Sequence, residues 1–449
     1  MSRMFGTDGV RGIAGEELTP ELAMQLGAAG ACVLAGDKGH KPVILIGRDT
    51  RISGGMLGSA LIAGITSTGA DVMDAGVVPT PAIAYLTVKY GCDAGVVISA
   101  SHNPAKFNGI KFFDGRGFKL PDATEDKIEA LIKDGLKDVK RAAGDASGRI
   151  MNCENAAVDY AEHCAEAVNV DLKGLKIVID CAEGASSVTS PMALKKLGAD
   201  LTVLHNSPDG VNINRDCGST HMEELCGTVK ELHADAGLAF DGDADRCLAV
   251  DENGNMIDGD VMMAINAMYM KEKGILKKDT LTVTVMSNLG LTLMAEKNGI
   301  KIVKTKVGDR YVLEKMQEDG TSIGGEQSGH IIFLDENTTG DGLLSGLHLL
   351  RILKESGKKM SELAKVMEVL PQALVNVPVP NEKKAVFADI PEVKTAIEDL
   401  EKKYSGEGRV LIRPSGTEPL VRVMIEGRDK GLIDADAKAL ADVIAKAVS

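Results

Sequence analysis

Tryptophan is absent from this chain of 449 residues, and all aromatic residues together make up only 3% of it. Proteins that bind single-stranded nucleic acid without sequence preference stack successive bases on repeated aromatic side chains. Positive charge is also scarce, because 65 Asp and Glu outnumber 51 Lys and Arg to give a net charge of −14. Such a chain repels phosphate backbones and anionic lipids, so we expect neither a nucleic-acid partner nor a membrane partner.

Several motifs that would indicate other classes of protein are missing as well. No apolar run reaches the ~18 residues that span a bilayer, and MSRMFGTDGVRG at the start contains no apolar segment of a secretory signal. The eight cysteines include no C-x-x-C pair, so we interpret them as reduced core thiols of a soluble, cytoplasmic protein. The only Gly-Lys pair, at 357–358, lacks the upstream glycine of a Walker A motif, so a nucleoside triphosphate is not the expected phosphate source.

The chain contains a threefold repeat. Its hydrophobic content of 44% is enough for packed cores, and its length predicts about three domains of ~150 residues. Each repeat reads strand, polar loop, helix, glycine-led strand, second helix and third strand, with opening strands at 43–51, 176–184 and 281–290. These units predict βαβ arrangements with buried strands, and therefore three similar α/β domains.

Unusual residues follow the third strand of every unit, in SASHNP (99–104), DGDADR (241–246) and GEQSGH (325–330). Open α/β sheets bind ligands at the carboxyl ends of their strands, so we expect the three loops to line one cleft. From about residue 371, VNVPV, RVLIRPSG and LVRVMIEG predict the half-buried strands of a smaller α+β domain. The polar stretch 138–156 is the expected linker between the first two domains.

The loop DGDADR places Asp241, Asp243 and Asp245 at alternate positions directly after a buried strand. Three converging carboxylates supply the hard oxygen ligands that Mg²⁺ prefers. An EF-hand shares this spacing, but Arg246 stands where that loop needs glycine, and strands rather than helices flank it. A solvated acidic turn is the plainer alternative. We favour the metal loop, because an acidic loop at the end of a buried strand needs a partner for its charge.

SASHNP offers the hydroxyl of Ser101 at the end of a strand. A serine needs a base or a metal before it acts as a nucleophile. The sequence SASHNP by itself is also typical of an ordinary turn. The position, equivalent to that of the metal loop, favours phosphoryl transfer, because a cation neutralises charge on the transferring group. In GEQSGH, Glu326 and Ser328 are suited to bind vicinal hydroxyls and His330 to move protons, although a lone histidine is usually structural.

RPSGTEP (413–419) follows another strand and has the composition of an anion-binding nest. Arg413 offers a forked donor, and Ser415, Gly416 and Thr417 offer hydroxyls and backbone N–H groups. A hairpin turn explains these residues equally well. An anionic substrate in so acidic a protein also needs local cations. The candidates stand in or beside the loops: Arg11, Arg48, Lys111, Arg246, Arg310 and Arg413.

With FGTDGVRG near the start, the loops VISASHNP, DGDADR, GEQSGH and RPSGTEP closely resemble those of the α-D-phosphohexomutases, over essentially the whole chain. The resemblance implies three similar α/β domains with mixed sheets and a smaller C-terminal α+β domain, arranged as a heart around one central cleft. It assigns 1–155 to a phosphoserine domain, 156–257 to a metal-binding domain, 258–370 to a sugar-binding domain and 371–449 to a phosphate-binding domain. The molecule is expected to be a monomer or a homodimer.

The resemblance also implies a role for each candidate residue. Ser101 is the phosphoserine, and its phosphate binds Mg²⁺ together with Asp241, Asp243 and Asp245. Proton transfer is aided by Lys111, His330 and Arg11. The phosphosugar is bound by Arg246, Glu326, Ser328, Arg413, Ser415, Gly416 and Thr417.

The implied reaction interconverts glucosamine 6-phosphate and glucosamine 1-phosphate. The phosphoserine donates to one end of the sugar, the bisphosphate reorients, and the other phosphate returns to Ser101; glucosamine or glucose 1,6-bisphosphate is the expected activator and intermediate. Gln327 favours the amino sugar, and the stretch TKVGDRYV differs from mannose-phosphate versions, while glucose and mannose phosphates remain the alternative substrates. A sugar-phosphate phosphatase and a non-catalytic sugar-phosphate sensor are the alternatives from other classes.

Overall fold

The computed structural model describes residues 3–6, 8–36, 39–384, 386–415 and 419–448. The chain forms two compact units, one of Met1–Met286 with Gly299–Val366 and the other of Ser287–Asn298 with Met367–Ser449. The larger unit contains three β-sheets and the smaller unit contains one, among the described residues. Each unit has its own core of buried apolar side chains.

The first sheet of the larger unit consists of β1 Val10–Ile13, β2 Val43–Arg48, β3 Asp71–Val77, β4 Ala94–Ile98, β5 Phe107–Asp114 and β6 Ile150–Asn152. Their order across the sheet is β1-β5-β4-β2-β3-β6. The accompanying helices are α1 Pro20–Ala35, α2 Ser53–Thr66, α3 Thr80–Lys89 and α4 Asp122–Lys133. Thr19 caps the start of helix α1, since its hydroxyl accepts a hydrogen bond of 3.2 Å from the Leu22 N–H.

The second sheet consists of β7 Lys176–Asp180, β8 Asp200–Leu204, β9 Ala236–Phe240, β10 Cys247–Asp251 and β11 Met256–Ile257, in the order β11-β10-β9-β7-β8. Its helices are α5 Ala156–Val168, α6 Ser186–Lys196 and α7 Glu223–Glu231. Helix α8 Gly259–Glu272 then leads to the third sheet.

The third sheet consists of β12 Thr280–Thr284, β13 Lys301–Thr305, β14 Ile323–Gly325 and β15 Ile331–Phe333, in the order β13-β12-β14-β15. Helix α9 Leu289–Lys297 follows β12 in sequence but belongs to the smaller unit. The remaining helices of the larger unit are α10 Asp309–Asp319, α11 Gly342–Ser356 and α12 Met360–Leu363.

The predicted repeat is present in all three sheets. In each, the first strand of the repeat lies between the second and the third in parallel pairing, giving β3-β2-β4, β8-β7-β9 and β13-β12-β14. The carboxyl ends of these strands therefore meet at one edge of each sheet, the edge where such folds bind ligands. An antiparallel strand follows every third strand, so β5, β10 and β15 turn each predicted loop into a hairpin connection. The sheets are mixed, which confirms the predicted fold class.

The smaller unit is the predicted α+β domain. It contains β16 Gln372–Pro378, β17 Arg409–Pro414 and β18 Leu420–Glu426 in the antiparallel order β16-β18-β17, with α13 Pro391–Tyr404 and α14 Lys430–Val448. Its core buries Val393 and Tyr404 of α13 against apolar residues of α14. Helix α9 joins this unit because the Asn288 side chain donates to the Leu370 carbonyl at 2.9 Å, a contact that the sequence did not indicate.

Two sequence-based expectations differ from the structure. Part of the predicted linker 138–156 is ordered into the first sheet, where β6 pairs in parallel with β3. The cysteines are free as expected, but Cys32 is exposed and Cys153 and Cys226 are half-buried, so the prediction of core thiols is wrong for these three. Among the described residues, no helix is both long enough and apolar enough to cross a membrane.

Candidate active site

Ser101 lies in the connection between β4 and β5, where its backbone adopts a left-handed conformation with a φ of 52°. Its hydroxyl donates a hydrogen bond of 2.6 Å to Oδ2 of Asp241, and its N–H donates to the Ser99 hydroxyl at 2.9 Å. A non-glycine residue in this conformation is held there by its surroundings. The structure therefore brings the serine loop of the first domain to the acidic loop of the second.

Arg51 holds the serine loop in place, and the sequence had not indicated this residue. Its guanidinium group is fully buried and donates hydrogen bonds of 2.8 Å to the carbonyls of Ser101 and Asn103. It also donates to Oδ2 of Asp49 at 2.9 Å, and the Ser99 hydroxyl donates to the same oxygen at 2.7 Å. Burial raises the pKa of the Asp49 carboxyl, although Arg51 opposes that shift. Arg51 thus both neutralises the buried Asp49 carboxylate and holds the serine loop in place.

Replacing Arg51 with alanine is expected to lower the free energy of unfolding by about 3–5 kcal/mol, because Asp49 would stay buried without its counter-charge. Arg51→Lys keeps the charge but loses the forked donor, so its loss should be smaller. Arg116→Ala is a suitable control, since that side chain is 77% exposed and its ion pair with Asp114 contributes little. Urea denaturation of the full chain measures all three; an Arg51→Ala protein that unfolds at the wild-type midpoint would contradict the assignment.

The connection between β9 and β10 carries the three aspartates into the interior. Asp241, Asp243 and Asp245 are only 1%, 0% and 4% exposed, so the alternative of a solvated acidic turn is wrong. One carboxylate oxygen from each lies within 4.8 Å of the others. Strands flank the loop on both sides, as expected when the EF-hand was rejected. Three carboxylates therefore converge on one buried point.

Lys111 and Thr80 both contact the middle aspartate of this group. Lys111 on β5 donates to Oδ2 of Asp243 at 2.8 Å, and the Thr80 hydroxyl donates to the same oxygen at 2.7 Å. Burial alone would raise the pKa of Asp243, but Lys111 and Thr80 outweigh it and lower this pKa below the ordinary range. Asp241 behaves differently, because burial and then the charges of Asp245 and Asp243 raise its pKa well above the usual value. Lys111 thus compensates Asp243 directly, and the other two carboxylates lie outside this hydrogen bond.

The acidic loop fits a bound Mg²⁺ ion. Oδ1 of Asp243 and Oδ1 of Asp245 are buried and make no hydrogen bond with the described residues. Buried carboxylate oxygens without a partner are costly, and a divalent cation would compensate both of them. The potential ligands are all oxygen atoms, and Mg²⁺ prefers oxygen ligands. The hydroxyl of Ser101 lies next to Asp241 and adds a further oxygen to this group.

His330 faces the acidic loop and is not simply a core histidine. It is 2% exposed, and its Nε2 lies 3.3 Å from Oδ2 of Asp309 and 3.9 Å from Oδ2 of Asp245. Lys119 forms an ion pair with the same Asp309 oxygen. Burial alone would raise the pKa of Asp309, but Lys119 and His330 outweigh it and lower this pKa. Lys119 and Asp309 are therefore members of the site that sequence reasoning missed.

The connection between β14 and β15 presents the remaining loop of the larger unit. Oε1 of Glu326 accepts a hydrogen bond of 3.0 Å from the Gly308 N–H, and the buried Ser328 hydroxyl makes no hydrogen bond with the described residues. Gln327 instead donates to Oδ2 of Asp258 at 3.0 Å. Glu326 and Ser328 thus have hydrogen-bonding capacity left for a ligand, whereas the protein already engages Gln327.

Two arginines complete this part of the site. Arg11 on β1 lies 3.5 Å from Asp8, and Nε of Arg246 lies 3.8 Å from Oδ1 of Asp245. In both guanidinium groups Nε is buried and makes no hydrogen bond with the described residues. Burial alone would lower the pKa of Arg246, but Asp245 and Asp241 outweigh it and raise this pKa. Both residues are permanently charged donors that an anionic ligand can use.

Two other candidate cations are already paired with protein carboxylates. Nη1 of Arg48 lies 3.4 Å from Asp74, and Nη2 of Arg310 lies 2.9 Å from Glu125 on α4. Both charges have a carboxylate partner within the protein, and their contribution to an anion-binding cluster stays a prediction. Arg310 also connects helix α10 to helix α4.

In the smaller unit, Arg413 near the end of β17 lies directly opposite Arg422 on β18. Burial and then the charge of Arg422 lower the pKa of Arg413, as is usual for neighbouring like charges. Lys384 donates to the Ser415 carbonyl at 2.7 Å, so a third cation lies at the start of the RPSGTEP loop. This group of positive charges suits an anion. Two predicted members of the loop lie outside the described residues: Gly416 and Thr417.

Comparison with known families agrees with this architecture. Models of the phosphoglucomutase/phosphomannomutase alpha/beta/alpha domains I, II and III match residues 2–138, 158–254 and 258–370, and the model of the C-terminal domain matches 374–445. Three α/β domains that carry the serine, acidic and GEQSGH loops define a phosphohexomutase, an isomerase that transfers phosphoryl groups. The chain belongs to the phosphoglucomutase/phosphomannomutase family.

Similar curated proteins cover the chain from end to end. A phosphoglucosamine mutase of Ruminiclostridium cellulolyticum is 61% identical over 99% of each chain. Phosphoglucosamine mutases of Clostridium novyi and Clostridium acetobutylicum are 58% and 57% identical, again over 99% of each chain. The predicted resemblance is therefore confirmed, and these relatives give no support to the phosphatase alternative.

Solved structures show the same fold at lower identity. A phosphoglucomutase/phosphomannomutase family protein of Burkholderia thailandensis superposes with a TM-score of 0.83 at 24% identity, covering 99% of this chain and 97% of its own. A putative phosphomannomutase of Thermus thermophilus gives 0.78 at 22% identity, with 98% of each chain covered. An N-acetylphosphoglucosamine mutase of Aspergillus fumigatus, solved with GlcNAc-6P and magnesium, gives 0.65 at 21% identity over 82% of this chain and 93% of its own.

Proposed function

We propose that the chain interconverts glucosamine 6-phosphate and glucosamine 1-phosphate through a phosphorylated Ser101. The observation that carries this proposal is the contact of 2.6 Å between the buried Ser101 hydroxyl and Asp241, beside two more buried carboxylates. A serine held against a metal-binding loop is suited to accept and donate a phosphoryl group. The names of the relatives that are 57–61% identical support glucosamine phosphate as the substrate.

Mg²⁺ would be bound by Asp241, Asp243 and Asp245 together with an oxygen on Ser101. When bound, the ion supplies positive charge that offsets the charge on the transferring phosphoryl group. Arg246, next to Asp245, provides further fixed positive charge on the same side of the site. Lys111 holds Asp243 in place through its hydrogen bond of 2.8 Å.

The route consists of two transfers with opposite direction. In the first, the bond between phosphorus and the Ser101 oxygen breaks, and a new bond forms to a free hydroxyl oxygen of the sugar phosphate. The sugar hydroxyl loses its proton and the Ser101 oxygen gains one. The bisphosphate then reorients, and its other phosphoryl group returns to Ser101. The candidates for moving the protons are Lys111 and His330, which are both 2% exposed, and Arg11 would assist them as a fixed positive charge.

Other residues would position the sugar and its second phosphate. We assign the sugar hydroxyls to Glu326 and Ser328, because both have hydrogen-bonding capacity left in the GEQSGH loop. The phosphate that does not react is assigned to Arg413, Ser415, Gly416 and Thr417, supported by the group of cations in the smaller unit. A 1,6-bisphosphate of glucosamine or glucose would phosphorylate Ser101 and start the cycle.

The remaining expectations from the sequence stay predictions. We propose that the protein acts in the cytoplasm as a monomer or homodimer on a small phosphosugar, without nucleic-acid or membrane partners. The acidic net charge of −14 supports the last two points. The four domains proposed from the sequence are 1–155, 156–257, 258–370 and 371–449.

A mutase assay on three substrates tests the proposal. The purified chain is supplied with Mg²⁺ and a trace of hexose 1,6-bisphosphate, and glucosamine, glucose and mannose phosphates are compared in parallel. We expect the highest kcat/KM for glucosamine 6-phosphate. Equal or better turnover of glucose or mannose phosphate would overturn the substrate and keep the mechanism, whereas release of inorganic phosphate without isomer would overturn the mechanism.

A further inference from the structure

The second α/β domain contains another group of potential metal ligands, on separate residues from the acidic loop. Asp180 is the last residue of β7, His205 directly follows β8, and Cys217 precedes a short 3₁₀ helix at Gly218–Thr220. One potential ligand atom from each lies within 4.8 Å of the other two. We propose that these three residues form a second cation site, which binds Zn²⁺.

The donor set decides which metal suits this site. A carboxylate, an imidazole and a thiolate together are the ligands of zinc, whereas Mg²⁺ takes oxygen donors. Asp180 and Cys217 are 0% and 1% exposed, while the His205 side chain is 20% exposed and provides a path for the ion and for a bound water. Three protein ligands and one water complete a tetrahedral zinc site.

The contacts around the three residues match those that orient zinc ligands. Nε2 of His205 lies 3.3 Å from Oε2 of Glu224, so a carboxylate holds the ring nitrogen that faces away from the site. Backbone N–H groups of Ala182 and Gly218 donate to the Asp180 carboxylate at 2.8 and 2.9 Å. Outer partners of this kind fix the tautomer of a ligating histidine and the position of a ligating carboxylate.

An ion pair between His205 and Asp180 is the alternative explanation of this contact, and the metal titration below distinguishes the two. Nδ1 of His205 lies 3.0 Å from Oδ2 of Asp180. Even so, this nitrogen is buried and makes no hydrogen bond of acceptable geometry with the described residues. A cation that both atoms coordinate would account for their closeness and would satisfy the nitrogen.

The electrostatic surroundings also favour a cation. The carboxylates of Asp180, Glu183, Asp216 and Glu224 all lie near the Cys217 thiol. These carboxylates give the pocket a negative potential that a divalent cation would neutralise. On binding, the thiol loses its proton to solvent and the sulfur coordinates the metal as a thiolate.

The site has a structural link to the serine loop. Asn214 lies three residues before Cys217, and its side chain donates to the Ser101 carbonyl at 2.8 Å and to the Asn103 carbonyl at 3.1 Å. Its N–H donates to the Ala182 carbonyl at 3.0 Å, next to Asp180. A metal that joins His205 and Cys217 would fix both ends of the loop that carries Asn214, and so would stabilise the support of Ser101.

Cobalt titration distinguishes this site from the acidic loop, because only a site with a thiolate gives sulfur-to-cobalt charge-transfer absorption. The full chain is stripped with a chelator, Mg²⁺ is added to saturate the acidic loop, and Co²⁺ is then titrated. We expect one equivalent of Co²⁺ to produce this absorption and Zn²⁺ to abolish it by displacement. Cys217→Ser should remove the signal, whereas Cys226→Ser, at a half-buried cysteine of the same domain, should keep it.

A second variant keeps the test decisive where Cys217→Ser does not fold. His205 is partly exposed, so His205→Gln leaves the core packed and should weaken Co²⁺ affinity at least about tenfold. Zn²⁺ should also raise the Tm of the wild-type chain but not that of either site variant. The proposal is overturned by any of three results: no charge-transfer absorption in the wild type, a signal that persists in Cys217→Ser, or unchanged Co²⁺ affinity in His205→Gln.

Discussion

Replacing Ser101 with alanine is expected to lower kcat by at least about 10⁴-fold while the protein stays folded. The substitution removes the oxygen that would carry the phosphoryl group and that donates a hydrogen bond to Asp241. The hydroxyl's hydrogen bonds join it to Asp241 and to the neighbouring His102, so its loss leaves no cavity in an apolar core. Activity is measured in the coupled mutase assay, and folding is measured by circular dichroism.

Transfer of labelled phosphate distinguishes a chemical role of Ser101 from a structural one. Wild-type protein incubated with a labelled hexose 1,6-bisphosphate should acquire one phosphate, and Ser101→Ala should acquire none. Ser99→Ala is a matched control two residues away, since the Ser99 hydroxyl accepts the Ser101 N–H at 2.9 Å and positions the loop. That control should react more slowly but still become labelled. A Ser101→Ala protein that retains turnover or label would refute the phosphoserine mechanism.

The strands and the loops at their carboxyl ends were predictable because they depend on local sequence. Apolar runs of strand length, separated by helices, indicate buried parallel strands, and parallel strands bring their carboxyl ends to one edge. The position of Ser101 beside Asp241 follows from that logic, although 140 residues separate the two in sequence. The antiparallel strands β5, β10 and β15 are harder to predict from the sequence. Each directly follows the loop at which the sequence repeat ends.

The supporting residues of the site could not be predicted, because tertiary contacts alone define them. Lys119 and Asp309 are 190 residues apart and pair only when the first and third domains meet. Arg51 is buried beneath the serine loop, yet in sequence it reads as one more charge after β2. Arg51 and Asp309 do share one positional signal, because both follow a strand of their sheet, β2 and β13, but that position does not indicate which residues they contact. The short strand β6 was hidden for another reason, as its three residues lie within a polar stretch.

Asp243→Asn is expected to lower kcat/KM by about 10²–10³-fold. Loss of one preorganised electrostatic contact in an active site typically lowers the rate by this factor. The substitution keeps the shape of the side chain and removes its charge. Asp243 has one oxygen in contact with Lys111 and Thr80 and another that makes no hydrogen bond with the described residues. An amide can still accept from Thr80, but it offers a cation a much weaker ligand, so excess Mg²⁺ should restore activity only in part.

Direct metal binding separates this explanation from a general disturbance of the site. Mn²⁺, followed by its paramagnetic resonance signal, should bind Asp243→Asn about 10–100-fold more weakly than wild type, if loss of the ligand charge is the cause. Thr80→Val removes the hydrogen bond to the same oxygen but keeps the carboxylate and Lys111, so it should retain Mn²⁺ affinity within a few-fold. Wild-type activity should also disappear in EDTA and return with Mg²⁺. Full activity in EDTA, or unchanged Mn²⁺ affinity in Asp243→Asn, would show that the acidic loop is not the metal site.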